Sequence, residues 1–447
     1  MTNKPDFTQE EWEVCLKVLK KLSKNPQAAP EIDLFKGLIT KIHKKARKEI
    51  RQSNKNILRE EDKQILSATD TVKNFHKKDS VAASAATRKL NKTIPCYICK
   101  QHFDEVHFFY HKLCLSCADF NYSKREQRLD LNNRIVSITG GRIKVGYQTA
   151  LKFLRDGAKV IVTTRFPVNA LEEFSKEIDY SKWQDKLFIY GLDLRNIFAL
   201  ENFINYLKET EPYLDAIINN AAQTIKYPNE YYQPLIKAEK KIKSLPIAQQ
   251  GKIIKTIESK EDIVSGEITQ YFPADKTDIF NQPLDLRPQN SWVLKLDEVE
   301  MSELVEVNLV NNIAPFLLNS KLKDLMCKSP FEKRFIINVT SSEGQFSYRS
   351  KTVHHPHTNM TKAALNMMTR TSAEDYAESN IIMNSVDVGW MSSGKPFEKL
   401  NQLYEEGFTP PLDLIDGAAR IYDCITQTLN NEKFYGKLLK DFQEAEW

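Results

Sequence analysis

Residues 134–165, RIVSITGGRIKVGYQTALKFLRDGAKVIVTTR, constrain the fold of this chain more than any other stretch. A β-branched apolar run stops at a glycine pair, a helical pattern follows, and a second β-branched run begins after Gly157. Two short apolar strands separated by one helix have to pair in parallel through a right-handed crossover. The glycine turn then brings backbone N–H groups and a helix N-terminus to the carboxyl end of the first strand, an arrangement suited to binding a pyrophosphate.

The same alternation continues downstream. KLFIYGLD and DAIINNAA read as strands, followed by the helical MSELVEVNLVNNIAPFLLNSKL, the strand RFIINVTSS, the helical KAALNMMTRTSAEDYAE and the strand IIMNSVDVG. Residues 129–447 are therefore expected to form an α/β domain, a doubly wound parallel sheet of about seven strands. Between Ala222 and Leu296 the pattern is broken by charged, turn-rich sequence containing Tyr231, Tyr232, Phe272, Pro273 and Trp292. This insertion, about residues 223–298, is far longer than an ordinary crossover and leaves the edge of the sheet where ligands bind. It reads as a lid or specificity element, or else as a surface or assembly contact.

The front of the chain has another texture. Residues 1–128 carry 26 Lys and Arg against 16 Asp and Glu, whereas the remainder carries 38 against 43. Residues 1–90 read as a basic helical segment. One amphipathic helix spans about 8–25, with Thr8 and Glu11 at capping-box spacing, a second spans 32–50 and a third 60–75, and a linker covers 79–93. The basic stretch KIHKKARKEIR reads as a solvated helix face, or as a contact for nucleic acid or an acidic protein partner. The N-terminal residues lack the apolar core of a secretory signal, and no stretch approaches the roughly 18 apolar residues that cross a bilayer. The expected location is the cytoplasm, with no membrane association.

Residues 91–128 contain CYICKQHFDEVHFFYHKLCLSC, with Cys96 and Cys99 separated from Cys114 and Cys117 by 14 residues. Two CxxC knuckles can close a tetrahedral thiolate site, and four thiolates leave no open position, so a structural Zn²⁺ is expected. His107 and His111 are the alternative ligands, and free or disulfide-bonded thiols are the competing reading.

Taken together, Thr139, Gly140, Gly141 and Gly146 resemble the TGxxxGxG signature of the short-chain dehydrogenase/reductase family, with Lys144 in place of the middle glycine. Val145 lies within the same turn. Asp193-Leu194 looks like the family's adenine-contacting pair, and Asn219-Asn220-Ala221-Ala222 is close to its NNAG motif. The resemblance spans roughly residues 130–445 and implies a Rossmann-type fold binding a dinucleotide. Arg165 follows the second strand, where arginine accommodates the 2′-phosphate of NADP and an acid binds the ribose of NAD. With Arg142 and Lys144 adding positive charge, NADP(H) is the expected cofactor. The other reading is that Lys144 obstructs the site.

The resemblance also implies a catalytic set. Asn308 stands for the helix asparagine, Ser341 for the serine that orients substrate, and Lys362 for the lysine that touches the nicotinamide ribose. Val388-Gly389 replaces the Pro-Gly turn beside the nicotinamide. The family's tyrosine, four residues before the lysine, is Thr358 here, whose hydroxyl cannot ionise as a lysine-activated phenol does. His357, or its neighbours His354 and His355, is the expected replacement acid, because imidazole titrates near neutrality. Two functions follow: an NADP(H)-dependent oxidoreductase acting on a small-molecule carbonyl or alcohol, or a catalytically silent NADP(H)-binding protein or sensor whose zinc module contacts a partner. Related folds often pair into homo-oligomers, which this chain could also do by analogy.

Overall fold

A computed structural model describes residues 6–76, 88–244, 247–257, 269–273, 276–430 and 434–447. Two antiparallel strands, β1 (Arg88–Pro95) and β2 (His102–Val106), precede a single large sheet. That sheet is built from β3 (Ile135–Thr139), β4 (Lys159–Thr164), β5 (Leu187–Gly191), β6 (Ala216–Asn219), β7 (Ile253–Lys255), β8 (Arg334–Thr340), β9 (Ile381–Asp387), β10 (Leu438–Lys440) and β11 (Gln443–Ala445). Their order across the sheet is β11-β10-β9-β8-β6-β3-β4-β5-β7, and every pair is parallel except β10 with β11.

This is the doubly wound plan read from the sequence. Among the described residues it has nine strands and not about seven. β7 comes from within the insertion and β11 from the C-terminal hairpin, and each is three residues long, too short for a periodicity to declare it. β3, β8 and β9 are buried along their whole length, as continuous apolar runs covered on both faces should be. One core layer packs helices Lys144–Arg155 and Leu414–Asn430 against the sheet, with Phe153, Leu154, Ile421 and Ile425 at its centre. The opposite layer sets helices Ile197–Thr210, Ala314–Cys327 and Pro356–Glu378 on the other face, around Phe203, Leu318, Leu322 and Ala373.

The order of β3 reverses the winding: the chain proceeds outward through β4 and β5, then returns to place β6 on the other flank of β3. The crevice above the carboxyl ends of β3 and β6 is therefore the topological switch point, where such sheets bind ligands.

In the front segment, helix Gln9–Leu22 carries the expected capping box, the Thr8 hydroxyl accepting from the Glu11 N–H and the Glu11 carboxylate accepting from the Thr8 N–H. The second and third predicted helices need correction. One continuous helix runs from Ile32 to Ser67, and a short one from Asp70 to Phe75. No glycine or proline interrupts residues 51–59, so nothing ends the helix at 50. Leu34, Leu38 and Ile42 of this helix are exposed. Residues 79–87 of the predicted linker lie outside the described residues, and 88–93 belong to β1. Among the described residues, no helix is long and apolar enough to cross a membrane.

The cysteine segment is anchored to the large domain by buried charge. Arg125, at the end of helix Leu115–Arg125, donates to Asp413 at 2.7 Å and Asp416 at 2.9 Å, and Tyr110 donates its hydroxyl to the same Asp416 carboxylate. Arg420 donates to Asn121 at 2.9 Å. Because Asp416 is fully buried, removing the Arg125 guanidinium leaves its charge only partly compensated, by Arg420. Arg125→Ala is expected to cost about 3–5 kcal/mol of unfolding free energy in urea. A loss within experimental error would contradict this anchoring.

Candidate functional site

Asn220 closes the switch point. Its side-chain amide donates to the carbonyls of Thr139 at 3.0 Å and Gly140 at 3.2 Å, while the Thr139 hydroxyl accepts from the backbone N–H groups of Asn220 and Ala221 at 3.1 and 3.0 Å. The glycine turn folds tightly against this amide. Gly140 adopts a positive φ of 69°, and a Cβ on Gly146 would lie 2.3 Å from both Asn220 Nδ2 and the Gly140 carbonyl. Gly141 faces Val162 on the neighbouring strand. Thr139 and Gly141 thus build the turn from behind.

A cavity of about 1540 Å³ opens in front of it. It is lined by Gly140, Arg142, Lys144, Val145 and Gly146 at one end, by Arg165, Asp193, Leu194, Asn220 and Ala221 along one side, and by Ser341, Thr358, Lys362, Val388 and Gly389 at the other end. Asp193 is locked in a two-pronged pair with Arg195, with contacts of 2.7 to 3.1 Å. Arg165 lays its guanidinium 4.2 Å from the ring centre of Tyr232, a residue of the insertion.

The insertion also reaches the glycine turn. Arg142 is buried and donates to Asn169 and Gln282, each at 2.7 Å, and burial pushes its pKa down to about 10. Lys144, in a left-handed conformation at φ 54°, places its ammonium 4.8 Å from the Phe280 ring centre, and burial lowers its pKa. Gln282 and Phe280 were not identified from the sequence, because no motif marks a loop that returns over the turn.

At the reacting end, Lys362 is buried and donates to the Val339 carbonyl at 2.8 Å. Burial pushes its pKa down to about 8, against the opposing effects of Glu343 and Asp387. The Asp387 carboxylate accepts from the Gly389 N–H at 2.9 Å and from Lys440 at 2.8 Å, which fixes the loop after β9.

Two expected residues are misplaced by the sequence reading. Asn308 is half-buried and bonds the Leu304 carbonyl of its own helix. The buried asparagine is Asn311, in a π-helical turn over Leu309–Ile313, whose amide donates to the Gln223 carbonyl at 3.0 Å and Thr361 at 3.1 Å, and whose oxygen accepts from the Gln223 N–H at 2.7 Å. The Val-Asn pair occurs twice, at 307–308 and 310–311. Only Asn311 continues the buried series Ala314, Leu318, Leu322 and Leu325. His357 is the second correction. It is buried 3.3 Å from Glu303, away from the cavity wall, because helix Pro356–Glu378 turns that position toward helix Met301–Asn308. His355 stacks on Trp292 at 4.2 Å, and neither it nor His354 lines the cavity.

Cys96, Cys99, Cys114 and Cys117 bring their sulfurs within 4.8 Å of one another, with Cys99 and Cys114 3.7 Å apart. His107 accepts from the Phe109 N–H and contacts Asp119, and His111 bonds the Thr409 carbonyl, so both are engaged elsewhere. The knuckle borders the same cavity through Tyr97, Ile98, Cys99 and Lys100. Tyr97 accepts from the Trp390 N–H at 3.1 Å, beside the loop after β9.

Residues 134–241 match the family described as short chain dehydrogenase. The chain is 32% identical over 366 residues to "Uncharacterized protein R665" of Acanthamoeba polyphaga mimivirus, covering 78% of this chain and 74% of that one. It is 28% identical over 137 residues to an L-xylulose reductase of Aspergillus niger, a match that spans 29% of this chain and 44% of the reductase. Among solved structures, a short-chain dehydrogenase/reductase from Caenorhabditis elegans superposes with a TM-score of 0.48 at 18% identity, over 70% of this chain and 96% of that one.

The contacts at Gly146 generate a direct test of the turn. Gly146→Ala must push apart Asn220 and the Gly140 carbonyl, at a cost of about 1–3 kcal/mol. The melting temperature is expected to fall accordingly, and an unchanged value would contradict the close approach.

Proposed function

We propose that this chain is a divergent short-chain dehydrogenase/reductase and, on that premise, an NADP(H)-dependent oxidoreductase of a carbonyl or alcohol substrate. One observation carries the reading: the glycine turn, Arg165, Ser341 and Lys362 all line a single cavity at the switch point of the sheet. The turn from Gly140 to Gly146 offers backbone N–H groups to a pyrophosphate, and glycine permits the approach. Asp193 and Leu194 border the place for an adenine. Arg165, at the end of β4, is the group for a 2′-phosphate, since a guanidinium presents a planar fork of donors to an anion. When bound, such a cofactor exchanges hydride with a carbonyl carbon. Ser341 then serves to orient the substrate oxygen, and Lys362 borders both ligands. Asn311 ties Thr361 of helix Pro356–Glu378 to the loop after β6, which keeps these groups in register.

NADPH is expected to bind more tightly than NADH, by about 1.5–3 kcal/mol for a charge-assisted contact. Arg165→Asp should abolish or reverse that preference in a fluorescence titration. Equal affinities for both cofactors, or binding of neither, would refute the assignment.

The four cysteines suit a structural Zn²⁺. A tetrahedron with Zn–S bonds of about 2.3 Å separates its sulfurs by roughly 3.8 Å, close to the Cys99–Cys114 spacing. Four thiolates would complete the coordination and give the metal a supporting role for Tyr97 and the adjoining wall. Purified protein is expected to contain about one zinc per chain by metal analysis, with Cys96→Ser or Cys114→Ser losing it. Well-folded protein without zinc would overturn this.

A further inference from the structure

The cysteine segment precedes the large sheet in the chain, yet it sends one side chain to the loop after β9. Tyr97 sits between Cys96 and Cys99, and its backbone is fixed from behind: the Tyr97 N–H donates to the Lys112 carbonyl at 2.8 Å and the Cys96 N–H to the Gln101 carbonyl at 2.9 Å. The phenol oxygen accepts from the Trp390 N–H at 3.1 Å. The preceding residue, Gly389, has a positive φ of 84°, and a Cβ there would lie 2.6 Å from Leu412 Cδ1 and 3.7 Å from Tyr97 Oη. The turn at Val388–Trp390 therefore runs close beneath the phenol. Tyr97, Val388, Gly389 and Trp390 all line the cavity.

Packing agrees with the hydrogen bond. One apolar cluster joins Cys96, Tyr110 and Leu113 of the cysteine segment to the buried Met391 and Leu412, with Val388 and Val145 packed against it. Val145 stands at the opposite end of the cavity, in the first turn of helix Lys144–Arg155. The cysteine segment thus braces both ends of the site. At Val145 it does so by packing alone, and at the turn after β9 by packing and a directed bond. That turn has Val388 before its glycine, with no proline ring to lock the backbone, so contacts from elsewhere have to hold it.

We propose that Tyr97 is a positioning residue for the reacting half of the cofactor: its phenol oxygen holds the Gly389–Trp390 peptide in the conformation that receives the nicotinamide. The proposal rests on the NADP(H) reading above. Without the phenol oxygen the Trp390 N–H loses its partner and the turn is freed, so a ligand that uses the turn bears the cost of ordering it. A fragment of the cofactor that lacks the nicotinamide half does not use the turn and escapes that cost. Tyr97 acts here through the backbone it holds and takes no part in the proton transfer.

The test needs no substrate. Tyr97→Phe removes the oxygen and keeps the ring, so the packing toward Val145 is retained. In full-length protein labelled with ¹⁵N-tryptophan, the chain's five tryptophans give a short list of amide signals, and Trp390 is assigned by its loss in Trp390→Phe. Hydrogen exchange of the Trp390 amide is expected to quicken in Tyr97→Phe by a factor on the order of ten. In calorimetric titrations, NADP⁺ should bind Tyr97→Phe about tenfold more weakly than it binds the unaltered protein. Adenosine 2′,5′-bisphosphate, which lacks the nicotinamide half, should bind both proteins alike. Unchanged Trp390 exchange or unchanged NADP⁺ affinity would overturn the proposal. So would equal weakening of both ligands, which marks a general support of the fold. Unaltered protein that binds neither ligand would refute the cofactor reading itself, a failure told apart from the others because it needs no substitution.

Discussion

Two side chains tie the carboxyl end of the seam between β3 and β6. Asn220 gives both amide hydrogens to the glycine turn, and Thr139 returns the connection by accepting two backbone N–H groups from the loop after β6. Because the space between Asn220 and Gly146 admits no Cβ, a side chain at 146 would push the turn and the start of helix Lys144–Arg155 away from Asn220. The cavity, the positions of Arg142 and Lys144, and the reach of the reacting end toward that turn all follow from this junction.

The insertion changes the character of the site. In an open sheet of this kind the phosphate turn would face solvent, but here Gln282 and Phe280 cover its two cations, and Tyr232 lies under Arg165. A neutral amide partner leaves the Arg142 charge uncompensated in a dry setting, which is why burial dominates its titration. An anion arriving there would gain more than it would at a solvated surface. The cysteine knuckle bounds the cavity from the other side through Tyr97, and its buried Arg125–Asp416 contact makes it a part of the domain's wall.

Much of this was legible in the sequence, because glycine turns and apolar strands are local. The doubly wound sheet, the turn residues and the clustering of Ser341, Thr358 and Lys362 all came from patterns a few residues long. What was not legible depends on packing between distant segments. Asn308 and Asn311 share a local motif, and only the buried face of the helix, shifted by a π-helical turn, decides between them. His357 is adjacent to Thr358 in sequence but points to Glu303, since neighbouring helical positions face about 100° apart. The front helices misled in the opposite direction: their apolar stripes look like buried faces, yet the described residues of Gln9–Leu22 and Ile32–Ser67 include none that is buried.

A crystal structure grown with NADP⁺ tests the central claim most directly, since it asks whether this covered switch point is a dinucleotide site. The account requires the pyrophosphate against the backbone from Gly140 to Gly146, the 2′-phosphate at Arg165, and the nicotinamide ring between Ser341 and Val388, with Gln282 and Phe280 retained over the phosphates or moved aside by them. Density for the loop containing Gln282 and Phe280 filling the turn, with no dinucleotide bound at saturating concentration, would contradict it.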